Sequence, residues 1–394
     1  MMRPEGEIII DLFPGAKLKA INIASSRPLS ITKQFARHRP EDITRTVSLL
    51  FATCKAAQTI AAAEAFEDAL GLPPPANCKQ VRAMLVLAES AREHALRILM
   101  DWPQFLHIRE EPPAAILRSL VQLHHALSRA LDENGSAAHF GGTCALRKDK
   151  VGGLVRELKS LLEKAIFAED LSHWRACASV SDLKSWAEKR ETPAQRLICR
   201  LANEDLLGIG ASELPALPAT EKAPLVERLF AHDHETYIAR PTWEGCPRET
   251  SALSRNQSHP LVQALKTRNG YGVGARLVAG LIELSQIMDR ILECLDQLTR
   301  DQEGKASHAP LAPGIGVAQV EAARGRLVHA VKMDGGKVGH YRILAPTEWN
   351  FHPSGSVARG LERIAKSGAR DCAMHARLLV IAAGPCVGAE VRVR

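Results

Sequence analysis

Residues 321–353 read EAARGRLVHAVKMDGGKVGHYRILAPTEWNFHP, and the fold turns on them. The stretch opens close to Arg324-Gly325 and runs into two alternating apolar/polar segments, Leu327–Lys332 and Val338–Leu344. Alternation at a period of two marks strands with one buried face. Between them, Gly335 and Gly336 supply the positive φ that a tight hairpin turn requires. Pro346, in Ala345-Pro346-Thr347-Glu348-Trp349-Asn350, has no N–H to give to a ladder, so the second strand ends there. A hairpin with an arginine at one mouth and a Pro-Thr loop at the other suits the wall of a site. It suits a piece of core with a connecting loop equally well.

Helical patterning surrounds this hairpin. Before it, His259-Pro260-Leu261-Val262 leads into a helix over Gly274–Leu298, with Leu277, Leu281, Leu284, Met288, Ile291 and Leu295 on one face. Residues 300–313 form a linker between that helix and the hairpin. After the hairpin, Gly355–Lys366 and Ala369–Ala383 read as helices, and Gly384-Pro385-Cys386 turns into a β-like alternation. Cys372 and His375 put a thiol and an imidazole at i, i+3 on one helix face, a possible soft-metal pair.

In the first half, Glu7–Leu12 and Lys17–Ile23 pair around Pro14-Gly15. Glu41 and Asp42 favour a helix start, and Val47, Leu50, Phe51, Cys54, Ala57, Ala61 and Ala65 continue one face to Leu70. That spacing turns Cys54 toward the core, and Gly71 with Pro73-Pro74-Pro75 stops the helix. Gln80–Asp101 reads as amphipathic, with Val81, Leu85, Ala88, Ala95 and Leu99 on one face and Arg82, Glu89 and Arg97 off it. Pro112–Leu131 and Val151–Phe167 complete the helical set, with His139-Phe140-Gly141-Gly142 and Gly152-Gly153 flanking a short loop. Residues 168–256, broken by Pro215, Pro218 and Pro224, carry no decisive pattern beyond helical pieces such as Pro193–Ala202. A partner surface is possible there, but nothing in the pattern demonstrates one.

A chain of 394 residues with 46% hydrophobic content can bury a large core. Net charge is +7 and pI about 9.0, but the basic residues are scattered and aromatics make up only 4%, so nucleic acid is not an expected partner. No apolar run is long enough to span a membrane, and the N-terminal MMRPEGEIIIDLF lacks the apolar segment of a secretory signal. Nine irregularly spaced cysteines do not read as a disulfide framework. A reduced, cytoplasmic protein is the expectation, with most cysteines acting as small hydrophobes.

Two motifs carry a family resemblance. E-x-x-R-G-x-L-x-H, a hairpin and A-P-T-x-W-N resemble the C-terminal part of the large subunit of nickel–iron hydrogenases. LLFATCKAAQTIAAAEAFEDALGLPPP (residues 49–75) is similar to that subunit's Cys-x-x-Cys segment and Ala-rich helix. The resemblance implies a mainly α fold with small β-hairpins, built as one domain over 1–394. Its parts are an N-terminal hairpin region (1–42), a helical core (43–300) and a C-terminal hairpin, helix and Cys-bearing end (314–394). It also implies an iron carrying cyanide and carbon monoxide, held beside Arg324, Pro346 and Thr347. Glu5, before Gly6, matches a proton-gating glutamate. Gly384-Pro385-Cys386 resembles the family's closing Asp-Pro-Cys.

The departures are as informative. Cys54 matches the second cysteine of the first pair, which bridges the two metals, while Phe51 replaces the nickel-only cysteine and Gln58 a histidine. Ala323 stands where the family usually has proline. At the end, Ala389 replaces the second cysteine and Arg392 the histidine that marks the point of C-terminal processing. Nickel would lose half its thiolates, so nickel and H2 chemistry are not expected. The pattern resembles the large-subunit-like hydrogenase expression/formation proteins of the HupK/HoxV type. It implies an accessory protein holding an Fe(CN)2CO unit through Cys54 and Cys386, with Cys372 and His375 as the rival metal pair. Implied partners are hydrogenase maturation proteins and the hydrogenase large subunit precursor. A divergent active hydrogenase and a metal-free binding module are the alternatives.

Overall fold

Helix α2 (Lys55–Leu70) explains how the centre of the molecule is built. Seven of its sixteen residues are alanines, and its small side chains let a strand lie directly on its backbone. That strand is β3 (Ile315–Ala322), which with β4 (Gly325–Asp334) and β5 (Lys337–Leu344) forms an antiparallel meander in the order β3-β4-β5. A Cβ on Gly316 would lie 2.0 Å from the carbonyl oxygen of Ala65, so β3 needs glycine at the point of contact. The expected hairpin is the β4–β5 pair, with Asp334 opposite Lys337 and both Gly335 and Gly336 at positive φ. β3 is the strand that the hairpin reading missed.

The structure, a computed structural model, describes residues 6–16, 20–72, 74, 77–106, 113–213, 215–300, 311–368 and 371–394. Glu5 lies outside the described residues, as does the linker over 301–310. Helix α1 (Pro40–Leu50) precedes α2, and α3 (Cys78–Met100), α4 (Ala114–Leu131) and α5 (Lys148–Leu162) follow. The long α6 (Val273–Arg300) packs along α3, and short helices fill the chain between 171 and 269. Helix α7 (Pro346–Asn350) follows the meander, then α8 (Ser356–Lys366) and α9 (Cys372–Ala383). Strand β1 (Glu7–Leu12) pairs antiparallel with β2 (Ile21–Ser25) and parallel with β6 (Gly388–Val393), joining the two ends of the chain in one sheet. Small sheets on a helical body match the expected fold class. Among the described residues no helix is long and apolar enough to cross a membrane.

Several local expectations need correction. The helix read over 43–70 breaks at Phe51–Cys54, because Glu89 on α3 caps the new start. Its carboxylate accepts from the N–H groups of Ala56 (2.7 Å) and Ala57 (3.1 Å), which a continuous helix would have used internally. Of the charged residues set off the apolar face of α3, Arg82 and Glu89 are buried as well. Arg82 makes a bidentate pair with Glu67 at 2.7 Å and donates to the carbonyl of Ala137. The Pro-Thr loop is the first turn of α7, with Pro346 at N1, where its missing N–H costs nothing. Cys78 and Cys144 are joined by a disulfide, bringing the start of α3 to the chain after α4. Their separation of 66 residues and irregular spacing hid the pairing.

Two glycines give opposite tests of this packing. Gly316→Val should destabilise the protein by about 3 kcal/mol or more, because no side chain can yield where the obstacle is backbone. Gly153→Ala, in α5 with nothing within 4 Å of the added methyl, should be neutral or raise stability by up to about 1 kcal/mol. Denaturant melts of both variants measure this, and equal behaviour would contradict the close approach of β3 to α2.

Candidate metal centre

Both cysteines singled out by the motifs line one cavity. Cys54 enters from the start of α2 and Cys386 from the turn between α9 and β6. A space of about 480 Å³ lies in front of them, with Arg27, Phe51, Gln58 and Glu348 on its walls. A smaller recess of about 20 Å³ runs behind, lined by the same two cysteines with Glu93, Arg324 and Pro346. At the rim of the larger space Leu50, Ala52 and Thr53 are exposed.

Each motif residue is held by a specific contact. Gly325, at φ 128°, would place a Cβ 2.1 Å from the carbonyl oxygen of Thr250, so only glycine admits that chain. Asn350 clamps the same point. It accepts from the N–H of Thr250 and donates to the carbonyls of Thr250 (2.8 Å) and Arg324 (3.2 Å). Glu321 bonds Arg255 (3.0 Å) and Arg326 (2.6 Å) across the strand mouth. The segment 168–256, uninformative as sequence, thus supplies the brace for the Arg-Gly turn.

Arg324 reaches the recess and donates to Glu93 at 3.0 Å. Thr347 is buried, with its Oγ1 2.9 Å from the Sγ of Cys386, whose backbone N–H donates to that same oxygen at 3.3 Å. The hydroxyl oxygen thus accepts from the backbone while the hydroxyl and the sulfur sit within hydrogen-bond distance of each other. Arg97 donates to the carbonyls of Ile381 (2.8 Å) and Pro385 (2.9 Å) and so fixes the arm that carries Cys386. Gly384, at φ 72°, makes room: a Cβ there would lie 2.7 Å from Nη1 of Arg97.

Burial governs the electrostatics at Cys54. Burial, with Cys386 and Glu89 nearby, pushes the Cys54 thiol well above its ordinary value, while Gln58 and Arg27 act against that shift. Burial also raises Glu89 to about 7, although the N–H groups of Ala56 and Ala57 oppose the rise. Gln58 joins a buried chain: its Oε1 is 2.8 Å from Nε2 of His329, and Nδ1 of His329 is 2.7 Å from the Tyr341 hydroxyl. Burial lowers His329 to about 3, so the ring is neutral and donates to Gln58 while accepting from Tyr341.

Among the sequence-predicted residues, Cys54, Cys386, Arg324 and Pro346 share the recess, and Thr347 joins through Cys386. Cys372 lies elsewhere, buried with its thiol toward the carbonyl of Ile364, and lines neither space, as is also true of His375. Phe51 stands on the wall of the larger space, whereas Ala389 is exposed on β6. Arg27, Glu89, Glu93 and Arg97 were not singled out as site residues. The row Glu89, Glu93, Arg97 at i, i+4, i+8 on α3 is the signal that could have found three of them.

Residues 236–360 match the family described as nickel-dependent hydrogenase. The hydrogenase expression/formation protein HoxV of Cupriavidus necator is 30% identical over 388 residues, covering 93% of this chain and 91% of that protein. HupK of Azotobacter vinelandii, of the same description, is 29% identical over 378 residues and covers 95% of each. Among solved structures, the Ni-Fe-Se hydrogenase of Desulfomicrobium baculatum shares the fold with a TM-score of 0.61, at 14% identity over 94% of each chain.

The Glu89 cap gives a pH test. A carboxyl raised to about 7 in the folded protein keeps its proton where the unfolded chain has lost it. Its contribution to stability therefore declines as pH rises from the ordinary carboxylate range to about 7. Glu89→Gln loses part of the cap, worth about 1 kcal/mol, but carries no such titration. The stability gap between wild type and Glu89→Gln should narrow across that window in denaturant melts; a constant gap would contradict the raised value.

Proposed function

Because the chain belongs to the hydrogenase expression/formation proteins, the family of HoxV and HupK, we propose that it holds an Fe(CN)2CO unit through Cys54 and Cys386 before that unit passes to the catalytic large subunit. Its family role is accessory, in hydrogenase assembly. The observation that carries the finer reading is the convergence of two thiols, far apart in sequence, on one cavity beside Arg324 and Thr347.

The donor set fits a metal that arrives with ligands of its own. Among the described residues no group of three or more His, Cys, Asp or Glu side chains converges as a bare ion would require. An iron already carrying cyanide and carbonyl ligands needs fewer protein donors, and two thiolates supply them. The Thr347 O–H and the Arg324 guanidinium are the donors within reach of its anionic ligands, once Arg324 shares or releases Glu93. Cys54, whose thiol burial pushes up, must lose its proton on loading, so uptake releases acid. Phe51 and Ala389 offer no donor where nickel would need two more thiolates, so the reading includes no H2 chemistry. The exposed rim at Leu50, Ala52 and Thr53 leaves a route for cargo to enter and leave without unfolding. The donor and acceptor in this reading are a hydrogenase maturation protein and the large subunit precursor.

Infrared spectra of protein purified anaerobically from maturation-competent cells, with iron and nickel analysis, test the proposal. Cyanide and carbonyl stretches with iron and without nickel are expected. Cys54→Ser and Cys386→Ser should each lower the bound iron on the order of tenfold or more, whereas Cys372→Ser should leave it unchanged. Wild-type protein free of iron and of both bands would sink the reading.

A further inference from the structure

Two charged side chains stand on the wall of the larger space in front of the cysteines, Arg27 and Glu348, and they are ion-paired to each other. The rest of that wall is apolar or neutral, with Leu29, Phe51 and Ile343 among its members. The side chain of Arg27 is 12% exposed and that of Glu348 6%, so the pair has little access to water beyond this space. Among the described residues, the Glu348 carboxylate has no second partner.

The backbone of Arg27 is fixed, although it lies between elements. Its N–H donates to Oγ of Ser25 at 3.3 Å, and the N–H of Ser26 donates to the carbonyl of Glu7 at 2.9 Å. Gly6, at φ 77°, packs against the same point, where a Cβ would lie 2.6 Å from Cα of Arg27. The N-terminal strands thus grip the root of this arginine, while its long side chain can choose among acceptors. Glu348 follows Thr347 directly in α7, so the present acceptor belongs to the Pro-Thr motif.

Charge balance gives the pair a purpose. An Fe(CN)2CO unit with ferrous iron is neutral, because its cyanides offset the metal. Two thiolates bound to it bring two negative charges into a cavity where charges interact more strongly than in water. On the recess side, Arg324 shares Glu93 with Arg92. In the larger space the cation on the wall is Arg27, and it lies within electrostatic reach of both sulfurs.

We propose that Arg27 is a positioning residue for the iron unit, its guanidinium turning from Glu348 in the empty site toward the cyanide and thiolate charge of the loaded one. Glu348 competes for that guanidinium and so sets how firmly the cargo is held. This rests on the two-thiolate reading above. Arg324 acts from the closed recess and Arg27 from the space whose rim is exposed, the side on which cargo comes and goes.

The test uses full-length protein loaded in maturation-competent cells, purified anaerobically and challenged with excess dithiothreitol as a competing thiol. Protein-bound iron and the carbonyl stretch are followed together. Arg27→Gln should lose iron at least about tenfold faster than wild type, as when one partner of an enclosed charge contact is removed. Its carbonyl stretch should fall, because losing a nearby cation returns electron density to iron. Glu348→Gln frees Arg27 for the cargo and should do the opposite, with slower loss and a higher stretch. Arg27→Lys keeps the charge without the planar fork and should recover the stretch. A purely structural ion pair would not give opposite signs in its two partners. If Arg27→Gln fails to fold, Arg27→Gln combined with Glu348→Gln leaves no enclosed charge unpaired and should still lose iron faster than Glu348→Gln alone. Equal rates and equal stretches in loaded wild type and Arg27→Gln would overturn this inference and leave the two-thiolate reading standing. Wild type free of iron would overturn both.

Discussion

The carboxylate of Glu89 takes the N–H groups of Ala56 and Ala57 in the first turn of α2, and the cysteine cavity depends on those bonds. Without it the apolar spacing from Val47 to Ala65 favours one unbroken helix, and Cys54 would be an interior helical residue with its sulfur in the core. With it the chain stops at Phe51, turns, and restarts at Lys55, so Cys54 stands at a helix entrance that opens on a cavity. A helix N-terminus also favours negative charge, as a thiolate would carry. The same carboxylate lies close enough to oppose that charge. The local field is thus a balance between cap, dipole, Arg27 and the second sulfur.

What was legible in the sequence was local or periodic. Gly335-Gly336 marked the turn, Pro346 marked the end of β5, and the length and apolar face of α6 were readable from spacing alone. What was not legible depended on partners distant in the chain. The break before Cys54 needs Glu89, which lies 33 residues beyond Ala56, whose N–H it takes. Strand β3 was hidden because its glycine is explained only by the backbone of α2. Buried Arg82 and Glu89 looked like polar-face residues because the elements that cover them lie elsewhere. The candidate site residues were singled out by motif order, whereas the residues that brace them, Thr250 and Arg97, had no motif to announce them.

The positions that depart from the hydrogenase pattern make contacts of their own. Gln58, in the place of a histidine, still ends a buried hydrogen-bonded chain through His329 to Tyr341. Phe51 covers part of the cavity wall where a thiolate would have been. Gly384, in the place of an aspartate, lets the guanidinium of Arg97 come against the backbone and grip the Cys386 arm.

The parallel pairing of β1 with β6 sets Ile8 beside Ala389, so nearly the whole chain separates two strands that touch. Contacts of such long sequence separation form late in folding. On a ribosome, Cys54 emerges long before Cys386, and the second sulfur reaches the cavity only when β6 has left the exit tunnel and found β1. Until β6 pairs with β1, only one of the two sulfurs is in place at the cavity.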